Sequence, residues 1–289
     1  MSGLAVAYGA VTIVNALATG KGAALGIDLW TKARVDLTED GVIKARILSE
    51  EAEKTLLAEK CVQAVFDHFG TQGFGARVET ESNIPIARGL KSSSVAGNAI
   101  VLATLAALEK HLEPSEILNL VVEASLEANV SVTGAFDDAA ASLYGNVVVT
   151  DNKLRKVLRT FPVEDYYVLL LAPARKAYTT DVDLRRIKTV AKQVEVAHNE
   201  AFVGNYWNAM TLNGLIYSHV LKLSTDVIIE GLEAGALAAG ISGKGPAYAF
   251  VVDEQFKSSV LGVLKENEGK VIVSKTRKRP SLREPILVS

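Results

Sequence analysis

"PIARGLKSSSVAGNAI", residues 85–100, places a proline, a glycine and three consecutive serines directly before an apolar helical repeat. The N-terminus of a helix leaves backbone N–H groups unpaired and carries partial positive charge, so a loop of small residues leading into it can bind phosphate. Gly89 allows the backbone to approach a ligand closely, and Arg88 and Lys91 add positive charge. A simpler interpretation stays open at this point: the serines only cap the helix, and Gly89 only makes a tight turn.

The chain lacks the common nucleotide-binding loop with the spacing G-x-x-x-x-G-K-[ST]. Gly20-Lys21 and Gly243-Lys244 are each followed by glycine instead of serine or threonine. A kinase activity would therefore need other machinery.

The composition is that of a globular protein that binds small molecules. The 289 residues suffice for two domains, and 49% are hydrophobic while 22% are charged. A net charge of −2 gives no electrostatic reason to expect nucleic acid or a membrane surface as a partner. The single cysteine, Cys61, excludes an intrachain disulfide, is expected to be a small buried apolar group, and fits a cytoplasmic location. The sequence leaves the oligomeric state open, a homo-oligomer included.

Hydrophobic periodicity predicts an α+β protein with two halves, residues 1–155 and 156–289. In the first half we expect strands at 5–14, 23–37, 41–47, 76–80 and 146–150, and helices at 49–69, 94–111 and from Pro114. Polar and basic residues at 151–162 suggest the boundary. In the second half we expect strands at 166–172, 248–252 and 271–274, and helices at 183–202, 205–223, 226–239 and 254–266. The apolar N-terminal run is interrupted by polar residues and is expected to be a strand, not a membrane span.

A pair of carboxylates, Asp137 and Asp138, stands in "TGAFDDAAAS" at the start of a short stretch of small residues predicted to be helical. Paired carboxylates can hold a metal ion or supply a general base, and their proximity raises the pKa of one of them. The alternative is an N-capping aspartate with an exposed neighbour. A third stretch, "GISGKGPAYAF", has glycines around Ser242 and Lys244 before an apolar strand and could bring backbone against phosphate.

Order and spacing of these three stretches resemble the GHMP kinase superfamily of small-metabolite kinases across nearly the whole chain. The phosphate loop of the superfamily, P-x-x-x-G-L-x-S-S, matches residues 85–93 without a gap. The resemblance implies a two-domain fold, with an N-terminal domain like domain 2 of ribosomal protein S5 and a ferredoxin-like C-terminal α+β domain. It also implies ATP binding by two groups of residues: Pro85, Ile86, Ala87, Arg88, Gly89, Leu90, Lys91, Ser92, Ser93 and Ser94, and Gly243, Lys244 and Gly245.

The resemblance extends to the carboxylates. In mevalonate kinase-like members, a catalytic aspartate lies seven residues before a glycine that ends a short helix and eleven residues after a metal-binding glutamate. Asp138 has Gly145 and Glu127 at these spacings, which implies Asp138 as the catalytic base with Asp137 beside it, and Mg²⁺ held by Ser93 and Glu127. Several members also carry a lysine after the glycine of a first, N-terminal motif. This chain has Ala10 there, so that lysine is missing.

Within the superfamily, "PIARGLKSSS" together with "TGAFDDAAAS" is most similar to the archaeal-type shikimate kinases. Lys91, where homoserine kinases typically have glycine, and the Asp-Asp pair carry this similarity. It implies transfer of a phosphoryl group from ATP to the 3-hydroxyl of shikimate, with Lys21 as a candidate partner for the shikimate carboxylate. Two alternatives remain: a homoserine or mevalonate kinase of the same superfamily, and a non-catalytic metabolite sensor on the same fold.

Overall fold

The computed structural model describes residues 1–50, 53–85, 89–173 and 183–281, together with the backbone of Ile286–Val288. The first sheet is built on two long antiparallel strands, β1 (Ser2–Val14) and β2 (Lys21–Thr38). Alternate residues of the first half of β1 are buried, as in a strand with one covered face, and its second half is buried throughout. This second half leads directly to the functional site.

Shorter strands extend the first sheet on both sides. The two ends of β2 pair with different partners, because β2 is longer than its neighbours. The remaining strands are β3 (Ile43–Ile47), β4 (Gly75–Ser82), β5 (Val147–Asp151), β6 (Lys156–Phe161) and, after the second sheet in the sequence, β11 (Ile286–Val288). The strand order is β11-β1-β2-β4-β3, and β5 pairs with both β2 and β6.

Four helices of the first half pack on one another and on this sheet. They are α1 (Leu56–Phe69), α2 (Ser92–Ala107), α3 (Pro114–Glu127) and α4 (Phe136–Tyr144). Helix α2 contacts β1, β2 and the other three helices, and its sequence is apolar or small on every side, as expected of a central buried helix. Buried Asn98 of α2 donates to the Ala139 carbonyl oxygen of α4 and joins the two helices. Their N-termini are thereby held beside each other.

The second sheet is antiparallel and has the spatial order β10-β7-β9-β8. Its strands are β7 (Tyr167–Ala172), β8 (Ala238–Ile241), β9 (Tyr248–Val252) and β10 (Lys270–Lys275). Helices α5 (Leu184–Lys188), α6 (Ala191–Phe202), α7 (Tyr206–Val220) and α8 (Asp226–Glu233) separate β7 from β8, and α9 (Lys257–Glu266) separates β9 from β10. The strands stand in the order fourth, first, third, second, which confirms the expected ferredoxin-like arrangement.

The two sheets share a continuous core. Helices α6 and α7 of the second half contact β1, and α6 also contacts β2 and β5. One cluster of buried side chains accordingly runs from β1 through α2 to α7 and β9. The contact at the end of β1 brings residues of the two halves together around one cavity.

Several predicted elements differ from the observed ones. The helix predicted at 226–239 ends at Glu233, and Ala238–Ile241 forms β8. The alanines of "AAGI" favour helix, whereas the pairing with β9 makes this segment a strand. The first predicted helix begins at Leu56 rather than 49. Strand β6 was not predicted, because its residues are mostly exposed and its apolar and polar residues do not alternate.

The change from the first sheet to the second falls between Phe161 and Tyr167, the end of β6 and the start of β7. The predicted boundary at 155/156 lies inside the β5–β6 hairpin of the first sheet. The division into 1–155 and 156–289 stays a prediction, and the pairing of β5 with β6 argues for a boundary a few residues later.

Cys61 is fully buried in α1, as predicted, and burial raises the pKa of its thiol to about 12. It is therefore no nucleophile. Among the described residues, no helix has the length and apolarity needed to cross a membrane.

Candidate active site

A cavity of about 840 Å³ lies where the three sequence motifs meet, a volume in the range of small-molecule sites. Its wall includes Gly89 and Lys91–Ser94 before and at the start of α2, Ala135, Asp137 and Asp138 at the start of α4, and Gly243–Gly245 after β8. The segment after β1, the start of α1, the loop at 128–133 and parts of β2, β3 and β4 also contribute to it. Residues far apart in the sequence are thus brought together as the motif spacing predicted.

The N-terminus of α2 has no side-chain cap. Its N-cap residue is Lys91, which adopts left-handed backbone geometry, and the helix begins at Ser92 with no side-chain capping hydrogen bond in the part of the chain that the structure describes. The first intrahelical bond at this end runs from the Val95 N–H to the Lys91 carbonyl oxygen. The interpretation that the serines only cap the helix is therefore wrong. The uncapped N–H groups of Ser92–Ser94 belong to residues of the cavity wall.

Gly89 has a φ of 81° and lies against the glycine-rich loop after β8. A Cβ at this position would overlap the Ser242 carbonyl oxygen and lie 2.9 Å from that of Gly245. Leu90 points into the core and is 1% exposed, and Pro85 is half-buried before the loop. The other predicted phosphate-loop residues, Ile86, Ala87 and Arg88, lie outside the described residues.

Asp138 forms a buried ion pair with Lys91. The Lys91 Nζ lies 2.7 Å from both carboxylate oxygens, and it donates a hydrogen bond to Oδ2. The side chains are 9% and 8% exposed. The contact with Oδ1 is ionic only, because the buried Oδ1 accepts no hydrogen bond among the described residues. Burial and, second, the Asp137 carboxylate raise the pKa of Asp138 to about 7, opposed by the Lys91 and Lys244 ammonium groups.

Asp137 is also buried, but its surroundings differ. Its Oδ1 accepts a hydrogen bond of 2.8 Å from Asn152 Nδ2, and the Asn152 Oδ1 in turn accepts one from the Thr150 hydroxyl. Its carboxyl group packs against Gly22, where an added Cβ would lie 2.5 Å from Oδ2. Neither aspartate is an N-cap, because Ala135 precedes α4 in that position. The alternative of a capping aspartate with an exposed neighbour is therefore wrong, and Gly145 ends α4 as predicted.

The glycine-rich loop after β8 is held from two sides. Gly243 N–H donates to the Thr12 hydroxyl at 2.9 Å, and the Asn15 side-chain amide donates to the Gly243 carbonyl oxygen at 2.6 Å. On the other side, the Ser242 hydroxyl donates to the Gly89 carbonyl oxygen at 2.9 Å. The loop is thereby fixed between the end of β1 and the phosphate loop.

Two predicted site residues lie elsewhere. The Lys21 ammonium pairs with Glu195 at 2.9 Å, and the Glu127 carboxylate pairs with Lys60 of α1 at 2.9 Å. Neither Lys21 nor Glu127 belongs to the described wall of the cavity, and the Glu127 side chain is 60% exposed. The spacing that selected Glu127 is matched in the sequence, but the side chains of both residues are directed to other partners.

Sequence reasoning missed Asn15, Asn152 and Thr12, which orient the site. Asn15 had a detectable signal, because it is a polar residue directly after an apolar strand and is followed by further apolar residues; the structure buries it. Its backbone N–H also bonds to the buried Asn213 side chain of α7, which ties the second half to the cavity. Asn152 gave no signal, because it stands in a polar turn after β5.

Residues 56–146 match the family model described as the GHMP kinases N terminal domain. A shikimate kinase of Methanothermobacter thermautotrophicus is 41% identical over 271 residues, covering 92% of this chain and 92% of that protein. A shikimate kinase of Methanosarcina mazei is 45% identical over 253 residues, covering 87% of this chain and 86% of that protein.

Solved structures share the fold at low sequence identity. Homoserine kinase from Cytophaga hutchinsonii superimposes with a TM-score of 0.75 at 19% identity, covering 99% of this chain and 96% of that one. Mevalonate kinase from Methanococcus jannaschii superimposes with a TM-score of 0.77 at 15% identity, covering 95% and 98%. The identity to these archaeal relatives and the coverage of both chains show that the chain belongs to the archaeal shikimate kinase family of the GHMP kinases.

Proposed function

We propose that the protein transfers the γ-phosphoryl group of ATP to the 3-hydroxyl of shikimate, giving shikimate 3-phosphate and ADP. The observation that carries this proposal is the buried Asp138 carboxylate in the wall that it shares with the uncapped start of α2. Its Oδ1 contacts the Lys91 ammonium but accepts no hydrogen bond among the described residues. The Asp138 carboxylate can accept a proton from a hydroxyl, and the start of α2 can bind phosphate. The names of the archaeal relatives supply the acceptor.

The phosphates of ATP are proposed to bind at the uncapped N-terminus of α2, where the N–H groups of Ser92–Ser94 and the helix dipole favour negative charge. Gly89 and Gly243 bring backbone close to the same region, and Lys244 adds a cation to the wall. Farther along the cavity, Leu57, Ala58 and Ile100 contribute apolar wall that suits an uncharged base.

Mg²⁺ normally accompanies ATP, and the residues present fit an ion that takes most ligands from phosphate and water. Among the described residues, no group of three acidic, histidine or cysteine side chains could hold a metal without such help. The Ser93 hydroxyl and the Asp137 carboxylate belong to the cavity wall and are the proposed protein ligands. When bound, the ion would neutralise phosphate charge. Glu127 is left out of this set, because it pairs with Lys60.

Asp138 is proposed to orient the acceptor hydroxyl and take its proton on Oδ1. A pKa raised to about 7 suits a general base at neutral pH, since about half of the Asp138 carboxyl groups are ionised there and the carboxylate is basic enough to hold a proton. Lys91 contacts both carboxylate oxygens and donates its hydrogen bond to Oδ2, so Oδ1 keeps lone pairs that can accept the hydroxyl of the acceptor. Phosphoryl transfer requires mainly positioning and charge neutralisation, which this arrangement provides.

The identity of the acceptor is tested by measuring the ADP that the purified protein forms from Mg-ATP in the presence of shikimate, homoserine or mevalonate. We expect release with shikimate at a kcat/KM at least about 100-fold above the other two, because the site must match the ring and its hydroxyls. Phosphorus–proton coupling in the product identifies the hydroxyl that is phosphorylated. Release that favours homoserine or mevalonate would assign another acceptor, and binding of shikimate without ADP release would favour a sensor.

A further inference from the structure

Lys91 occupies a backbone conformation that lysine seldom adopts. Its φ of 65° and ψ of 21° lie in the left-handed region, which is unfavourable for residues with a Cβ. It precedes α2 in the N-cap position, where serine, asparagine or glycine would be preferred, and its side chain caps nothing. Backbone strain of this kind persists where the surrounding structure or the function requires it, and here it lies in the wall of the cavity.

The strained backbone directs the lysine side chain to the centre of the site. Besides contacting both oxygens of Asp138, the ammonium lies against the glycine-rich loop, where a Cβ on Gly243 would be 3.3 Å from Nζ. The ammonium therefore stands between the proposed base and the loop that closes the phosphate site. An ammonium group has three N–H donors, and Asp138 is the only hydrogen-bond acceptor of Lys91 Nζ among the described residues.

A buried ion pair alone does not explain this residue. Replacing such a pair by apolar side chains of similar volume is often neutral or stabilising, so stability gives no reason to retain a strained lysine. The other half of the pair is the proposed base, and the nearest backbone on the opposite side belongs to the phosphate site. A cation between the base and the phosphate site can stabilise the negative oxygen atoms of a phosphoryl group that is transferred from ATP to the acceptor.

We propose that Lys91 is a catalytic residue whose ammonium contacts the phosphoryl group during its transfer, rather than a residue that only binds ATP in the ground state. The inference rests on the proposed kinase function of the site. In the step, the acceptor oxygen forms a bond to the γ-phosphorus while the bond from phosphorus to the β,γ-bridging oxygen breaks. The electron pair of that bond remains on ADP, the hydroxyl proton passes to Asp138 Oδ1, and Lys91 keeps its protons and donates hydrogen bonds to the phosphoryl oxygens.

The test uses Lys91→Gly in the full chain. Glycine adopts left-handed backbone geometry without steric strain, so the variant should keep the fold. We expect kcat with shikimate to fall by about 10²-fold to 10³-fold, as for loss of one transition-state donor, while KM for ATP changes less than about threefold. Ethylammonium should restore kcat by at least about tenfold in a saturable manner, since the variant leaves room for an ammonium group. Tetramethylammonium, which has the same charge and no N–H, should not.

Lys222→Gly is the matched control. Lys222 is also a lysine with positive φ, 58°, but it is exposed after α7 and outside the cavity wall. Its glycine variant should keep wild-type kcat and gain nothing from ethylammonium. Lys91→Met, which keeps most of the side-chain volume, is the second variant if the glycine variant does not fold, and it should show the same loss of kcat with ATP binding retained in calorimetry.

The outcomes separate this inference from the proposed function. Absence of shikimate-dependent ADP release in the wild-type protein would refute the proposed function itself. With an active wild-type protein, three results would overturn the role of Lys91: a kcat within about threefold of wild type, a raised KM for ATP at unchanged kcat, or a loss of kcat that ethylammonium does not restore. The last would show that the defect is a misplaced Asp138 and not a missing ammonium.

Discussion

The Ser242 hydroxyl donates a hydrogen bond of 2.9 Å to the Gly89 carbonyl oxygen, although 153 residues separate the two positions. The phosphate loop before α2 and the glycine-rich loop after β8 therefore support each other directly. Gly89 has no space for a side chain at this contact, because a Cβ would overlap the Ser242 carbonyl oxygen. The site depends on this close approach of two backbones from different halves of the chain.

Gly89→Ala should lower kcat/KM by at least about 100-fold, because the added methyl group forces the two loops apart and a 1 Å misplacement can have such an effect. The backbone strain should also reduce the free energy of unfolding by roughly 1–2 kcal/mol. Gly73→Ala is the control: Gly73 has the same φ of 81° with nothing within 4 Å of an added Cβ. It should share the loss of stability in denaturant titration and keep activity. Equal activity of the two variants would contradict the account.

The activity should depend on the protonation of Asp138. Because its pKa is raised to about 7, the carboxylate is protonated below and ionised above that pH. As a base must be ionised, kcat/KM should be level at higher pH and fall about tenfold per pH unit well below pH 7. The profile of kcat/KM from pH 5 to 9 checks this. A profile that stays level down to pH 5 would remove Asp138 from the proton transfer.

Gly22→Ala should lower kcat by at least about tenfold, because the methyl group would displace the Asp137 carboxyl group and with it the start of α4. Gly262→Ala is the control. Gly262 lies within α9, and nothing is within 4 Å of an added Cβ, so alanine should raise the free energy of unfolding by roughly 0.5–1 kcal/mol without changing kcat. Steady-state kinetics and thermal unfolding of both variants measure these effects. Wild-type kcat in Gly22→Ala would mean that the position of Asp137 is unimportant.

Removal of the proposed metal ligand should change the requirement for Mg²⁺. In Ser93→Ala, the Mg²⁺ concentration for half-maximal rate should rise by about fivefold to tenfold, because an oxygen ligand is lost. In Glu127→Gln it should stay unchanged, since Glu127 pairs with Lys60 outside the described cavity wall. Titration of both variants with Mg²⁺ at saturating ATP distinguishes them. The opposite pattern would restore Glu127 as the ligand expected from the sequence.

The sequence predicted the α+β class, most elements and the meeting of three motifs, because periodicity and small-residue loops are local signals. It could not predict β8, since "AAGI" becomes a strand only through its pairing with β9. The sequence also could not predict where the side chains of the candidate residues point. Glu127 has the expected spacing from Asp138, yet it lies at the end of α3 facing Lys60, and Lys21 pairs with Glu195, 174 residues away.

The contact between Lys91 and Asp138 could not be predicted from the sequence either. Both residues were selected from the sequence, one as part of the phosphate loop and one as the base, but nothing in their local patterns joined them. Their contact depends on the buried packing of α2 against α4, which Asn98 stabilises. The capping interpretation of the serines also needed the structure, because an N-cap lysine in left-handed geometry is not expected from propensity.

The most direct measurement is the shikimate-dependent ADP release of the wild-type protein and of Asp138→Asn, with ATP affinity determined for both by calorimetry. Asparagine keeps the shape of the side chain and cannot accept the acceptor proton. We predict activity in the wild-type protein and a kcat lower by at least about 100-fold in the variant, with ATP affinity nearly unchanged. Near-normal turnover of Asp138→Asn with shikimate would contradict the claim that this carboxylate is the base of the phosphoryl transfer.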